Sequence, residues 1–207
     1  MILLFKAFSA LLSYPTEETR RALPEIAEVV RRSPLVASRE REALLGLVGE
    51  IGQGEQLAAE ERYVDLFDRG RALSLHLFEH LHGESRDRGS AMVELKRLYE
   101  AAGYDLAANE LPDYLPVVLE YLSLRDMVEG RAMLADCAHI LKTIAKSLIG
   151  RRSRYAAVLQ ALIVIAGDSA VDASTVPAIE ERPGALDRDW SEQPAFEVPT
   201  PAGRPVS

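Results

Sequence analysis

The sequence predicts an all-α protein, and three observations predict it. Apolar residues recur at steps of three and four along most of the chain, and no segment sustains the period-two alternation of a half-buried strand. Glycines and prolines fall mostly between the periodic stretches. With 207 residues, 48% of them hydrophobic and 27% charged, the chain can bury a core without covalent staples. The expected architecture is a single-domain helical bundle of about eight helices over residues 1–167. An extended, acidic, Pro-rich and mostly disordered tail is expected over 168–207.

Each element follows from local signals. Met1 to Tyr14 (MILLFKAFSALLSY) reads as a buried first helix stopped by Pro15, because the residue before proline is pushed out of helical geometry. Thr16 caps a second helix, with Glu17 and Glu18 in its first turn and Pro24 bending or delaying it. Ser38 caps a third, which ends at Gly52 and Gly54. From about Glu55 to Leu81 the positions Tyr63, Leu66, Phe67, Leu73, Leu77 and Leu81 suggest the longest helix, with Gly70 marking a break or a close crossing. Asp87, read as a cap, opens a helix that Gly103 closes. Asp113 is placed as the cap of the next, so that Pro116 falls in the first turn, where no N–H is needed. A long helix is expected from about Val128 to Ile149, and a last one from Ser153 to Ala166. Only Ala161 to Ala166 carries enough branched residues to suggest a strand.

Charge and cysteine content narrow the function. There are 24 basic and 32 acidic residues, a net charge of −8, which disfavours a general nucleic-acid binder. Residues 168–207 hold eight acidic and three basic residues, so most of the imbalance lies in the tail, with six of the eleven prolines from Pro177 onward. The single cysteine, Cys137, cannot form an internal disulfide and lies on an apolar stripe expected to keep its thiol inert. The first apolar run has no basic segment ahead of it and no cleavage site after it. The run at Tyr155 to Gly167 is too short to span a bilayer. A cytoplasmic protein that is not integral to a membrane is the resulting expectation.

Catalytic motifs are scarce. His76 and His80 stand four residues apart, and His76-Leu77-Phe78-Glu79-His80 fits the H-x-x-E-H pattern of inverted zinc peptidases. No third ligand is evident, and Leu77, Phe78 and Leu81 intervene as a packing surface, so no metal is assigned. The turn Gly83-Glu84-Ser85-Arg86-Asp87-Arg88-Gly89 lacks the spacing of a phosphate loop. Neither a nucleophile elbow nor a dinucleotide fingerprint occurs. From the residues alone a helical adaptor and a small metal-dependent hydrolase both remain alternatives.

Several segments resemble one family. Tyr63-Val64-Asp65-Leu66-Phe67-Asp68-Arg69-Gly70-Arg71, Ser74 to His80, the HGESRDRG run from His82 to Gly89, and Glu110-Leu111-Pro112-Asp113-Tyr114-Leu115-Pro116 with Leu119 to Leu122 resemble the NarJ family. These are the delta-subunit chaperones of respiratory nitrate reductase, within the wider TorD and DmsD type of molybdoenzyme chaperone. The resemblance covers residues 1–165 and implies an all-helical, non-enzymatic protein that binds no cofactor itself. Its implied partner is the apo catalytic (alpha) subunit, held by its N-terminal peptide. That client is kept ready for molybdenum-cofactor and iron–sulfur insertion before it docks at the membrane.

Residue by residue, Tyr63, Leu66 and Phe67 match an aromatic-x-x-Leu-Phe element that contributes to the peptide site in the wider group. Leu66 and Phe67 fit ordinary core positions equally well. Pro112 and Asp113 match a Glu-Pro-Asp-His-like element, but Leu111 separates Glu110 from Pro112, and Tyr114 stands where histidine is common. Tyr114 therefore joins the implied peptide site through hydrogen bonding or stacking. The remaining motif residues are His76, Glu79, His80, His82, Gly83, Glu84, Ser85, Arg86, Asp87, Arg88, Gly89, Glu110 and Glu120.

Overall fold

The first helix organises the structure because it is apolar on nearly every side, and such a helix is stable only when surrounded by protein. In the computed structural model, which describes residues 2–68, 70–82, 86–107 and 110–179 (His82 and Arg86 in their backbone only), α1 spans Leu3–Leu12. Its Phe5, Phe8, Leu11 and Leu12 are at most 1% exposed. It packs chiefly on α7 (Leu115–Ser123), and the Ser9 hydroxyl donates to the Pro116 carbonyl at 2.8 Å. The remaining helices among the described residues are α2 (Glu17–Arg32), α3 (Ser38–Gly52), α4 (Gln56–Phe67), α5 (Leu77–His82), α6 (Arg86–Ala101), α8 (Met127–Asp136), α9 (Ala138–Gly150) and α10 (Ala156–Ile165). No strand occurs among the described residues, and Ala161 to Ile165 lies within α10, with Ala166 as its C-cap.

Thr16 caps α2 as expected, accepting a hydrogen bond from the Thr19 N–H at 3.2 Å, and the helix continues through Pro24. At α3 the cap position is Ala37, one residue before Ser38. Asp87 lies inside the first turn of α6 rather than at its cap.

The number of helices exceeds the expected eight because two long patterns are each divided. The stretch from Glu55 to Leu81 is not one helix. It stops at Phe67, passes through a 3-10 turn at Arg71–Leu73, and resumes as α5. Gly70 marks the break, not a crossing: its backbone is extended and the space beside it is open. The cause lies in the pairing beyond it. The Leu115 N–H donates to the Leu75 carbonyl at 2.8 Å and the Leu77 N–H to the Asp113 carbonyl at 3.0 Å, making one antiparallel bridge between His76 and Tyr114. Leu73, Leu75 and Leu77 are all buried along this short extended piece. The pattern from Val128 to Ile149 is likewise divided at Cys137, which ends α8 and begins α9.

After α10 the chain stays close to the body for twelve residues. The Gln160 amide both donates to the Val171 carbonyl and accepts from its N–H, Lys142 pairs with Asp168 at 2.7 Å, and the Ile179 N–H donates to the Gly150 carbonyl. These ties hold residues 168–179 against the body. Residues 180–207 lie outside the described residues, and the turn read around Trp190 with them.

Candidate functional site

The bridge between His76 and Tyr114 joins the two segments richest in distinctive residues. Around it, α4 supplies Tyr63 from one side and α6 supplies Tyr99 from the other. Tyr63 is buried, and its hydroxyl donates to the Leu12 carbonyl at 2.8 Å. A carbonyl only accepts, so in the 2.9 Å contact between the Tyr63 and Tyr114 hydroxyls Tyr114 is the donor. Burial, reinforced by the neighbouring Tyr114 hydroxyl, drives the Tyr63 phenol far above its usual range. It therefore stays neutral, as a structural hydrogen-bonding group.

Phe67 is also buried. Its ring lies 4.8 Å from Tyr63 and edge-on to Tyr155 at 5.1 Å, distances at which aromatic pairs attract. Leu66 points elsewhere. It is half-buried and lines a cleft of about 220 Å³ with Glu50, Arg62, Asp65, Ser153 and Tyr155. The two residues of the Leu-Phe pair are thus separated onto different sides of α4.

Asp113 is not the cap of α7. Tyr114 occupies the cap position and Pro116 is the second helical residue, where its missing N–H is not needed. The Asp113 carboxylate is fully buried, with one oxygen 3.2 Å from His76 Nδ1 and the other accepting from the Phe78 N–H at 3.1 Å. With 0% exposure, the Asp113 side chain lies beneath the surface and is linked to it by its contact with His76. The His76 side chain is 31% exposed, and its ring stacks on Tyr114 at 5.1 Å. Pro112 is buried and its carbonyl accepts from the Tyr99 hydroxyl at 2.9 Å. Of the candidate peptide residues, then, Leu66 and Tyr114 reach the surface, while Tyr63, Phe67, Pro112 and Asp113 form the layer beneath.

Within the histidine run, His76 and His80 are each engaged by protein groups. The His80 Nε2 lies 2.8 Å from the Ser74 carbonyl, which fixes the proton on that nitrogen, and Glu79 pairs with Arg88 at 3.2 Å. Among the described residues no group of three or more His, Cys, Asp or Glu side chains is arranged to hold a metal ion. His82, through its side chain, and Gly83, Glu84, Ser85 and the Arg86 side chain lie outside the described residues. Asp87, Gly89 and Glu110 are exposed, and Glu120 is half-buried beside Tyr104 and Lys6.

Sequence reasoning missed one surface residue at this site. Tyr14, 40% exposed, sets its ring edge-on to Tyr63 at 5.7 Å. Tyr14 follows directly on the first helix, but no local pattern links it to Tyr63.

Residues 15–160 match the family model described as nitrate reductase delta subunit. The chain is 40% identical over 191 residues, 89% of its own length and 80% of the relative's, to the nitrate reductase molybdenum cofactor assembly chaperone NarJ of Escherichia coli (strain K12). It is 35% identical over 195 residues, covering 92% and 81%, to the probable nitrate reductase molybdenum cofactor assembly chaperone NarW of the same organism. To the probable NarJ chaperone of Bacillus subtilis (strain 168) it is 31% identical over 177 residues, covering 85% and 95%.

Proposed function

Because the chain belongs to the nitrate reductase delta subunit family, that of the NarJ chaperones, we propose that it is a non-catalytic assembly chaperone for a nitrate reductase. In this reading it binds the N-terminal region of the apo catalytic subunit in the cytoplasm. It keeps that subunit open for molybdenum-cofactor and iron–sulfur insertion and delays docking at the membrane. The cofactors belong to the client. The observation that carries the reading is the likeness to an assembly chaperone along nearly the whole chain.

The geometry suits peptide capture. Buried Tyr63 and Asp113 hold Tyr114 and His76 at the surface through hydrogen bonds, with Leu66 on the neighbouring cleft. A preorganised surface of this kind loses little side-chain entropy on binding. An amphipathic client segment would meet apolar and aromatic groups with carboxylates at the rim, the helix-in-groove mode of recognition. Among the described residues no helix is long and apolar enough to cross a membrane.

Co-expression of the tagged chain with the catalytic subunit tests the proposal. The expected result is co-purification of a catalytic subunit that lacks molybdenum cofactor, and loss of nitrate reductase activity in cells without the chaperone. Equal yields of cofactor-loaded enzyme with and without the chain would overturn it.

A further inference from the structure

The stretch after α10 walls a second cleft and ends beside it. This cleft, of about 540 Å³, lies between Ala43 of α3, Ile149 of α9 and Ala156 and Ala157 of α10, with Val171 to Ala173 on one side. Its volume is in the range of sites that bury a bound group, and its alanines leave room for large side chains. Ile179 fixes where the chain goes next. Its N–H donates to the Gly150 carbonyl, and its side chain fills the space that a Cβ at Gly150 would need, one residue from the cleft-lining Ile149. The chain beyond Ile179, residues 180–207, therefore starts at the edge of the cleft.

Charge is divided sharply along this part of the sequence. Between Ala138 and Gly167 there are five basic residues and no acidic one, whereas residues 168–207 carry eight acidic and three basic. The first acids of that stretch already meet cations of the body. Asp168 pairs with Lys142 at 2.7 Å, and Asp172, held low mainly by hydrogen bonds from Ser174, also feels Arg39. At the cleft Arg154 is paired with Glu50, and Glu40 offsets part of the basic charge. Lys146 and Arg152 are exposed, stand on either side of Gly150 in the chain, and have no acidic partner among the described residues. Glu180 and Glu181 follow directly on Ile179. We infer that residues 180–190 of this chain occupy the cleft, Glu180 and Glu181 answering Lys146 and Arg152 while Leu186 and Trp190 reach the apolar lining. Seven residues separate Ile179 from Leu186, roughly 25 Å of extended chain, against about 15 Å for the whole of α10. A tethered segment needs only weak intrinsic affinity, because its effective concentration at the cleft is high. Docked there, it closes the cleft to other polypeptides until it is displaced. Ordering it costs conformational entropy, so heating releases it before the body melts, and Tm does not report it.

Trp190 is the only tryptophan, so its fluorescence in the full chain reports this segment alone. At low salt its emission should lie to the blue of that of a synthetic peptide of residues 180–207, with acrylamide quenching severalfold slower. Raising the salt to about 0.5 M should move both readings toward the peptide's, because the ion pairs are exposed to screening. The double variant Lys146→Glu with Arg152→Glu should do the same, with circular dichroism confirming its fold. Peptide-like readings in the wild-type chain would overturn the inference, and so would readings that neither salt nor the variant moves.

A spin label on Ser191→Cys locates the segment by NMR, since the Cys137 thiol, raised by burial, reacts slowly at neutral pH. The label should broaden the amide resonances of Ala43, Ala156 and Ala157 most strongly. No broadening, or broadening centred elsewhere, would overturn the cleft as the seat of the segment. Mixing the labelled chain with an unlabelled, isotope-enriched one tests a second copy as the source. No broadening is expected in the enriched chain, and its appearance there would overturn docking within one molecule.

Discussion

Asp113 shows how far a residue's role depends on what surrounds it. Its type and its place before Pro116 fit a helix cap, yet its carboxylate serves His76 and the Phe78 N–H across the bridge, fully buried. Removing a buried acceptor leaves its donors unpaired, so Asp113→Ala should lower unfolding stability by about 2–3 kcal/mol in urea titrations. Asp113→Asn should cost less, because the amide oxygen still accepts from Phe78. Cys137 behaves as its apolar position suggests. Its thiol, held near the Met133 carbonyl, is pushed up to about 12, chiefly by burial. Alkylation by iodoacetamide at pH 8 should therefore be far slower than that of a free thiol, and should accelerate on adding denaturant. The motif pairs Leu66–Phe67 and Pro112–Asp113 are recognisable in the sequence. Which member faces solvent is not, since Leu66 and Phe67 are equally apolar and differ only in the side of α4 they occupy.

At the level of elements, helices with their own punctuation are legible and interrupted ones are not. α1 is readable as a helix, though expected out to Tyr14 rather than Leu12, because apolarity and Pro15 agree, and α2 because Thr16 and its first-turn acids agree. The break after Phe67 has one local trace, the alternation Leu73, Leu75, Leu77, which is too short to outweigh the longer three-and-four pattern around it. Partners forty residues away hold that segment extended. The end of α9 offers a test at this scale. Arg152 takes a left-handed conformation (φ 55°) while the Ser153 N–H reaches back to the Leu148 carbonyl, a turn that usually carries glycine. Arg152→Gly should relieve that strain and raise stability, by up to about 1 kcal/mol after the added flexibility of the unfolded chain is counted. Chemical denaturation would register it, and a loss of stability would mean that the Arg152 side chain contributes more than its backbone costs.

On the scale of the whole molecule, the stretch after α10 defines the body's edge. The Gln160–Val171 pair, the Lys142–Asp168 ion pair and the Ile179 contact at Gly150 hold residues 168–179 in place. A chain ending at residue 179 should melt within about 1 °C of the full protein. One ending at 167 should lose roughly 1–3 kcal/mol, because the half-buried Gln160 amide loses both partners. A calorimetric scan of the two truncations checks this, and a large loss in the longer form would place part of the core beyond 179. Composition and periodicity alone determine that the protein is helical, acidic and built around an apolar first helix, because helix burial is written every three to four residues in nearby sequence. Motif order alone points to the NarJ family. Tertiary contact decides that Tyr63 and Asp113 support the surface while Tyr14, Tyr114 and His76 present it. Those residues are up to a hundred positions apart, and no local regularity records which of them the folded chain brings together.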